Sequence, residues 1–227
     1  EQTQTQQVPS VRAVVHDWLH SEDLLSLLAE AMGLKVIDLF SGLGGFSEAF
    51  VQDPEWDVLR IENNPLLSDV PHTLIWSALT LSPSEFMECD LLLASPPCTE
   101  FSQAYDAPAP RAKRAGIDFQ PNMDLVKCAL RWNEVIKPRY FLMENVNGSQ
   151  KHFIPAGARL IQKTGPFVFY GNFPKFSMPP RWEHLKKEND TWSSDPLRAN
   201  KKGKLPLELS SRIKETFERT TSILEWV

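Results

Sequence analysis

The segment from Lys35 to Val51 constrains this chain more than any other. Val36-Ile37-Asp38-Leu39-Phe40 is a short apolar run, Ser41-Gly42-Leu43-Gly44-Gly45 is a glycine turn, and Phe46 to Val51 has helical character. A strand that breaks into glycines and resumes as a helix is the opening unit of an α/β sheet, since parallel strands need a crossover to connect them. The glycines permit a tight turn and close backbone approach to a ligand, and the helix N-terminus beyond them offers free amides. Glycine turns also serve packing alone. The spacing is not Gly-x-Gly-x-x-Gly and no phosphate-loop lysine follows, which disfavours ATP.

The rest of the chain repeats the alternation. Strands are expected at Asp57 to Glu62, Asp90 to Ser95, Tyr140 to Glu144 and Phe167 to Tyr170, with helices at Asn122 to Ile136 and Leu205 to Phe217. Ser82-Pro83-Ser84-Glu85 has the form of a capping box with proline at the first helical position. Val11 to Met32 predicts two short helices broken near Ser21, an N-cap followed by acids. Residues 99–121 have little periodicity and suggest a mobile functional loop. The expected organisation is an N-terminal helical segment (1–34), a main domain (35–174) and a small C-terminal lobe with a helix (175–227). The sheet is expected to be mostly parallel, covered on both faces, with ligands outside the carboxyl ends of its strands. The segments 41–45, 95–98 and 144–146 all fall at such ends.

With 227 residues and 42% hydrophobic content the chain can bury one core and a small appended lobe. No stretch approaches the ~20 consecutive apolar residues of a spanning helix, and the three cysteines, Cys89, Cys98 and Cys128, suggest neither a disulfide framework nor a zinc site. The expected setting is a reducing one, the cytoplasm. A formal charge of -5 argues against indiscriminate adhesion to nucleic acid but leaves room for a local basic groove. Arg111, Lys113 and Arg114 cluster shortly after Cys98, and Lys201-Lys202-Gly203-Lys204 forms a second basic run; a solvated face explains either as well. His16 and His20 flank Asp17 at helical spacing, yet no third ligand is evident, so they read as surface histidines and no metal is expected. Trp76, Trp132, Trp182 and Trp192 read as core or lobe packing in preference to base stacking.

Two further constellations carry chemistry. In Ser95-Pro96-Pro97-Cys98-Thr99-Glu100-Phe101-Ser102 a diproline at a strand end holds a cysteine at the edge of the sheet, where a thiolate is a strong nucleophile. Alone, Cys98 reads far more readily as an inert buried thiol, as Cys89 and Cys128 do. In Met143-Glu144-Asn145-Val146 a carboxylate at a strand end is expensive unless solvated, paired or protonated. Raised toward neutral pH, Glu144 can donate a proton to a ring nitrogen. Glu62, closing the second strand, is placed as the acidic partner of ribose hydroxyls is in nucleotide-binding sheets.

Together these residues resemble the DNA cytosine-5 methyltransferase family, particularly its short bacteriophage and prophage members, over roughly Lys35 to Pro174. Asn145 to Gln150, Phe169 to Pro174 and Lys204 to Ser210 carry the likeness to the phage branch. The resemblance implies a Rossmann-like sheet that uses S-adenosylmethionine, with helices on both faces and a small irregular C-terminal lobe. It implies cofactor contacts at Asp38, Phe40, Ser41, Gly42, Gly44, Gly45, Glu62, Asn63, Ser77 and Pro96. It makes Cys98 the nucleophile, with Glu144 and Asn145 on the cytosine. Ser102, Gln103, Arg111, Lys113 and Arg114 fall to DNA, with the 99–121 segment closing over a flipped-out base. A protein partner is not indicated.

The pattern departs from the family in three places. Where members carry an Asp that contacts the cofactor adenine, this chain has Ser77. The Gln-x-Arg-x-Arg segment is absent, which leaves Arg159 as the nearest active-site arginine, with Gln162 close by. The stretch after Pro174 is too short for a large target-recognition region. Three alternatives stay open: the same chemistry on RNA, a catalytically silent DNA-binding relative, and a nucleotide-dependent oxidoreductase on the same sheet.

Overall fold

The apolar runs assemble as strands β1 (Leu34–Leu39), β2 (Trp56–Glu62), β3 (Thr73–Ile75), β4 (Leu91–Ala94), β5 (Tyr140–Val146), β6 (Leu160–Thr164) and β7 (Phe167–Gly171) of a computed structural model that describes residues 33–86, 88–179, 182 and 194–224. They form one sheet in the order β3-β2-β1-β4-β5-β7-β6. The first five run parallel, while β7 pairs antiparallel with both β5 and β6. The order reverses direction between β1 and β4, so a crevice opens there beyond the carboxyl ends, the usual ligand position in a Rossmann-like sheet. Leu34–Val227 is a compact unit distinct from Glu1–Gly33. The expected N-terminal helices, the Ser21 cap and the His16–His20 pair lie outside the described residues, as does Trp192.

Helices are α1 (Glu48–Val51), α2 (Pro108–Arg114), α3 (Asp124–Ile136), α4 (Gln150–Phe153), α5 (Arg198–Gly203) and α6 (Leu207–Leu224). One face of the sheet, carrying Val36, Val58, Leu91, Leu93, Leu142 and Phe169, packs on Phe46, Phe50, Leu205, Leu209, Ile213 and Phe217 around α1 and α6. Side chains alternate along a strand, so Ile37, Leu59 and Leu92 face the other way, and they too are buried. Near that second face α3 buries Val126, Ala129, Trp132 and Ile136 at helical spacing, and Trp132 donates its indole N–H to the Ala78 carbonyl at 3.2 Å. Both faces are therefore covered. Among the described residues no helix is long and apolar enough to cross a membrane.

Several elements differ from the sequence expectation. β3 and β6 were not expected: one has three residues and the other is an edge strand carrying Gln162 and Lys163, too short or too polar for an alternation signal. Ser82 precedes a single 3-10 turn, Pro83–Phe86, with proline at its first position as expected; its carbonyl accepts the Glu85 amide at 3.1 Å and its hydroxyl pairs with Ser84 at 2.8 Å. The final helix runs past Phe217 to Leu224 because no Gly or Pro stops it. Finally, the 99–121 segment is not structureless. Its ends are tied by Asn122 N–H donating to Glu100 Oε2 at 2.5 Å. Inside it α2 starts with Pro108 in its first turn and ends in a Schellman pair, Gly116 N–H to the Lys113 carbonyl and Ile117 N–H to the Ala112 carbonyl.

Candidate functional site

Two clusters line the carboxyl ends of the strands. The first is built on the glycine turn after β1. Phe40, Gly42 and Gly44 all have positive φ (59°, 54° and 72°), so the chain doubles back sharply. Beneath the turn lies Arg60, on the face of β2 that also carries Val58, and only 2% exposed. Its guanidinium donates to the Gly44 carbonyl at 2.8 Å and to Ser47 Oγ at 2.9 Å. Ser47 in turn donates to Asp38 Oδ2 at 2.7 Å. A Cβ on residue 44 would lie 2.3 Å from the Arg60 guanidinium carbon, so only glycine fits there. Burial pushes the Asp38 carboxyl up to about 6, while the Ser47 hydrogen bond and Arg60 hold it down.

Glu62 locks the same turn from the side. Oε2 accepts the Gly42 amide at 2.8 Å, and Oε1 accepts the Asn63 and Asn64 amides, each at 2.9 Å. A carboxylate has about four acceptor positions, so one on Oε2 stays free for a hydroxyl. Two buried polar atoms at this turn, Asp38 Oδ1 and Ser41 Oγ, have no hydrogen-bond partner among the described residues. Orphaned buried acceptors are rare and call for an explanation; here they border a backbone cradle with a free acceptor, which suits a polar, hydroxyl-bearing ligand. Ser77 lies just beyond β3, next to Trp76, whose amide donates to the Glu62 carbonyl at 2.8 Å. Of the expected cofactor residues, Asp38, Phe40, Ser41, Gly42, Gly44, Glu62 and Asn63 thus belong to this turn and its anchor, and Ser77 follows β3. Gly45, at the end of the turn, packs against the Leu205 backbone, and Pro96 lies in the second cluster.

The second cluster joins the ends of β4 and β5. Leu93 and Leu142 are register partners, so two residues on, Ser95 and Glu144 leave the sheet from the same face. Ser95 Oγ donates to Glu144 Oε2 at 2.7 Å. Alongside, Asn145 Nδ2 donates to the Pro96 carbonyl at 2.8 Å. Burial raises the Glu144 carboxyl to about 7, with the Ser95 hydrogen bond opposing the rise. Cys98, half-buried, follows directly; burial first and the Glu144 charge second push its thiol above the ordinary value. Cys89 is pushed up to about 12, by burial first and with the Asp90 charge adding to it against backbone hydrogen bonds, and burial also raises Cys128. A depressed thiol pKa therefore does not single out Cys98. Its position beside an acid that is itself half-protonated near neutrality does, because protonating Glu144 removes the repulsion on a thiolate.

The segment after Cys98 packs on the turn after β5. Gly148 touches it so closely that a Cβ there would lie 2.0 Å from the Phe101 carbonyl and 3.1 Å from Gln103 Cγ. Ser149 ties the same turn to β7, donating to the Val146 carbonyl at 2.7 Å and pairing with the Tyr170 hydroxyl at 2.6 Å. Ser102 Oγ accepts the Ala104 amide at 3.2 Å. Arg111, Lys113 and Arg114 are exposed in the last turn of α2, and the Arg114 guanidinium lies 3.7 Å from the centroid of the Tyr105 ring. Arg159 is exposed before β6, where its carbonyl accepts the Gly171 amide at 2.8 Å. β7 pairs Gly171 with Leu142 and Phe169 with Glu144, so the Arg159 backbone stands two residues short of the level of Glu144. Among the described residues no group of His, Cys, Asp and Glu is arranged to hold a metal.

Sequence reasoning missed Ser47, Arg60, Ser95, Ser149 and Tyr170. A signal existed for Arg60, a lone cation inside Val58-Leu59-Arg60-Ile61. The hydroxyls carried none, since their partners are distant in sequence.

The family described as C-5 cytosine-specific DNA methylase matches residues 34–153, which holds both clusters. The chain is 32% identical over 138 residues to the Type II methyltransferase M1.HphI of Haemophilus parahaemolyticus, covering 54% of this chain and 35% of that protein. It is 34% identical over 135 residues to the Type II methyltransferase M.AquIA of Picosynechococcus, 52% of this chain and 50% of the other. A human tRNA (cytosine(38)-C(5))-methyltransferase is 29% identical over 130 residues, 51% of this chain and 31% of its own length. This chain thus spans from under a third to half of the length of these relatives. A match that covers more than half the chain, and falls on the segments that build the site, makes it a member of the C-5 cytosine-specific DNA methylase family.

Proposed function

We propose that the chain transfers a methyl group from S-adenosylmethionine to C5 of cytosine in DNA, through a covalent adduct of Cys98 at C6 of a flipped-out base. The observation that carries this is the junction of the ends of β4 and β5, where Ser95 joins Glu144 at 2.7 Å and Asn145 joins Pro96 at 2.8 Å just before Cys98. The first cluster supports the donor: Asp38, Phe40, Ser41, Gly42, Gly44, Gly45, Glu62, Asn63, Ser77 and Pro96 would hold it, and the orphaned Asp38 and Ser41 oxygens fit its polar groups. Bound there, S-adenosylmethionine supplies a methyl on a positively charged sulfur.

Cytosine C5 is a poor nucleophile until C6 is attacked. Cys98 first loses its thiol proton to water, its thiolate Sγ bonds to C6, the C5–C6 π pair moves toward C4 and N3, and Glu144 gives its proton to N3. C5 then has enamine character. After methylation a water molecule takes the C5 proton, the C5–H electron pair reforms the C5–C6 double bond as the C6–S bond breaks and Cys98 leaves as a thiolate, and N3 returns its proton to Glu144. A Glu144 carboxyl near 7 is half-protonated at neutral pH and suits this exchange. A base inside a duplex hides C6, so the target is flipped out, with Ser102, Gln103, Arg111, Lys113 and Arg114 on the strand. Arg159 is the remaining candidate for the base. Residues 35–174 form the catalytic domain, and the described residues after 174, with α5 and α6, form a lobe that takes part in recognising the target. A phage- or prophage-type origin and the bacterial cytoplasm rest on the resemblance of 145–150, 169–174 and 204–210.

DNA containing 5-fluorocytosine blocks loss of the C5 proton. Incubated with S-adenosylmethionine and such DNA, the chain is expected to form a covalent complex that disappears in Cys98→Ala. No complex across varied DNA sinks the proposal. The similarity to a protein named as a tRNA methyltransferase favours RNA as a second substrate reading, which labelled donor offered with DNA or RNA decides.

A further inference from the structure

We infer that Ser95 is a positioning residue for Glu144: its hydroxyl marks Oε2 as the accepting oxygen and so keeps the transferable proton on Oε1. The inference rests on Glu144 being the cytosine acid, as proposed above. A carboxylic acid can carry its proton on either oxygen, and only one of the two can face N3. Ser95 removes the ambiguity, because an oxygen that accepts a hydroxyl donor at 2.7 Å is the poorer site for the proton.

The hydroxyl is aimed by its surroundings. Ser95 N–H donates to the Leu39 carbonyl at 3.0 Å, which fixes the residue against β1. Pro96, with its fixed φ, follows and is itself held through its carbonyl by Asn145 at 2.8 Å. Ser95 thus has little freedom to turn away. As Cys98 Sγ bonds to C6 and N3 takes the proton from Oε1, Glu144 becomes a carboxylate, and the Ser95 O–H already points at the oxygen that shares the new charge. On elimination the carboxylate recovers its proton and the same hydrogen bond returns it to Oε1. Burial and the Ser95 hydroxyl are the influences on this carboxyl among the described residues. The titratable groups that feel its charge are Cys98, in the same segment as Ser95, and Tyr170 on β7, both of them raised and hence neutral around pH 7.

The test compares Ser95→Ala and Ser95→Thr with the parent chain, titrating the glutamate side-chain carboxyls by carbon-13 NMR and assigning the Glu144 signal by its loss in Glu144→Gln. In Ser95→Ala the midpoint should move up by about one pH unit, as expected for losing a donor to a charged acceptor. Methyl transfer to DNA should fall about tenfold in kcat with KM within about twofold, the split expected for lost orientation. Ser95→Thr keeps the hydroxyl and should restore both. A Ser95→Ala midpoint that stays at the parent value, or a Ser95→Thr midpoint that moves with it, overturns the inference. If no methyl transfer is seen with any chain, the proposed function fails, while the titration still decides whether Ser95 governs Glu144.

Discussion

At the ends of β1 and β2, Asp38 is completely buried; it accepts the Ser47 hydroxyl and feels the charge of Arg60, which itself donates to Ser47 and the Gly44 carbonyl. At the ends of β4 and β5, Glu144 is 7% exposed and has one side-chain donor, Ser95, and no cation among its influences. The first carboxyl rises from its ordinary 3.8 to about 6 and the second from 4.5 to about 7, so the two are shifted to a similar extent. Burial is the largest cause in both; what differs is the compensation. The turn that would hold a donor molecule is a rigid, charge-balanced frame. The site that would handle the base keeps an acid that burial raises, opposed by the Ser95 hydroxyl alone and by no cation.

The largest test breaks the frame. Arg60→Met removes the buried cation and leaves Asp38 without its balance, a change expected to destabilise the fold by about 3–5 kcal/mol. Denaturant unfolding at pH 8 measures it; a loss under about 1 kcal/mol would mean the network is ornamental. Glu144→Gln should do the opposite. The folded pKa of about 7 lies above the ordinary 4.5, so the folded state binds the proton more tightly than the unfolded chain does. The stability that this contributes is complete below 4.5 and is lost as pH rises through 7. Removing the charge should therefore stabilise the chain by about 3 kcal/mol at pH 8 and by almost nothing at pH 4. Equal unfolding curves at pH 8 would erase the contrast between the clusters. The smallest effect belongs to the exposed loop: Arg114→Ala should leave thermal unfolding unmoved while lowering the salt slope of DNA binding by about one. An unchanged slope would separate α2 from the phosphate backbone.

The features legible in the sequence were those built from neighbours along the chain. The turn at 41–45, the diproline before Cys98 and the Glu-Asn-Val end of β5 each announce themselves in a few residues, and the parallel sheet follows from the alternation around them. α2 was legible in principle, with proline in its first turn and Gly116 beyond its end, but its lack of buried residues gave it no apolar stripe to read. Arg60 and Ser95 act across strands, on Gly44 and Ser47 and on Glu144, and no local pattern reports such a partner. The antiparallel β6–β7 hairpin was hidden for a related reason: its Gly165-Pro166 turn is a signal, but one strand lies at the sheet edge and is polar.

The seating of α6 has a consequence for how the molecule comes to exist. Ser210 donates to the Phe46 carbonyl and accepts the Ala49 amide, and Phe217 stacks on Trp56 at 5.0 Å. The first helix after β1 is thus completed by residues translated some 160 positions later. A growing chain on the ribosome cannot close this core until α6 has emerged, so its sheet must wait, partly uncovered, while the residues between α1 and α6 are made.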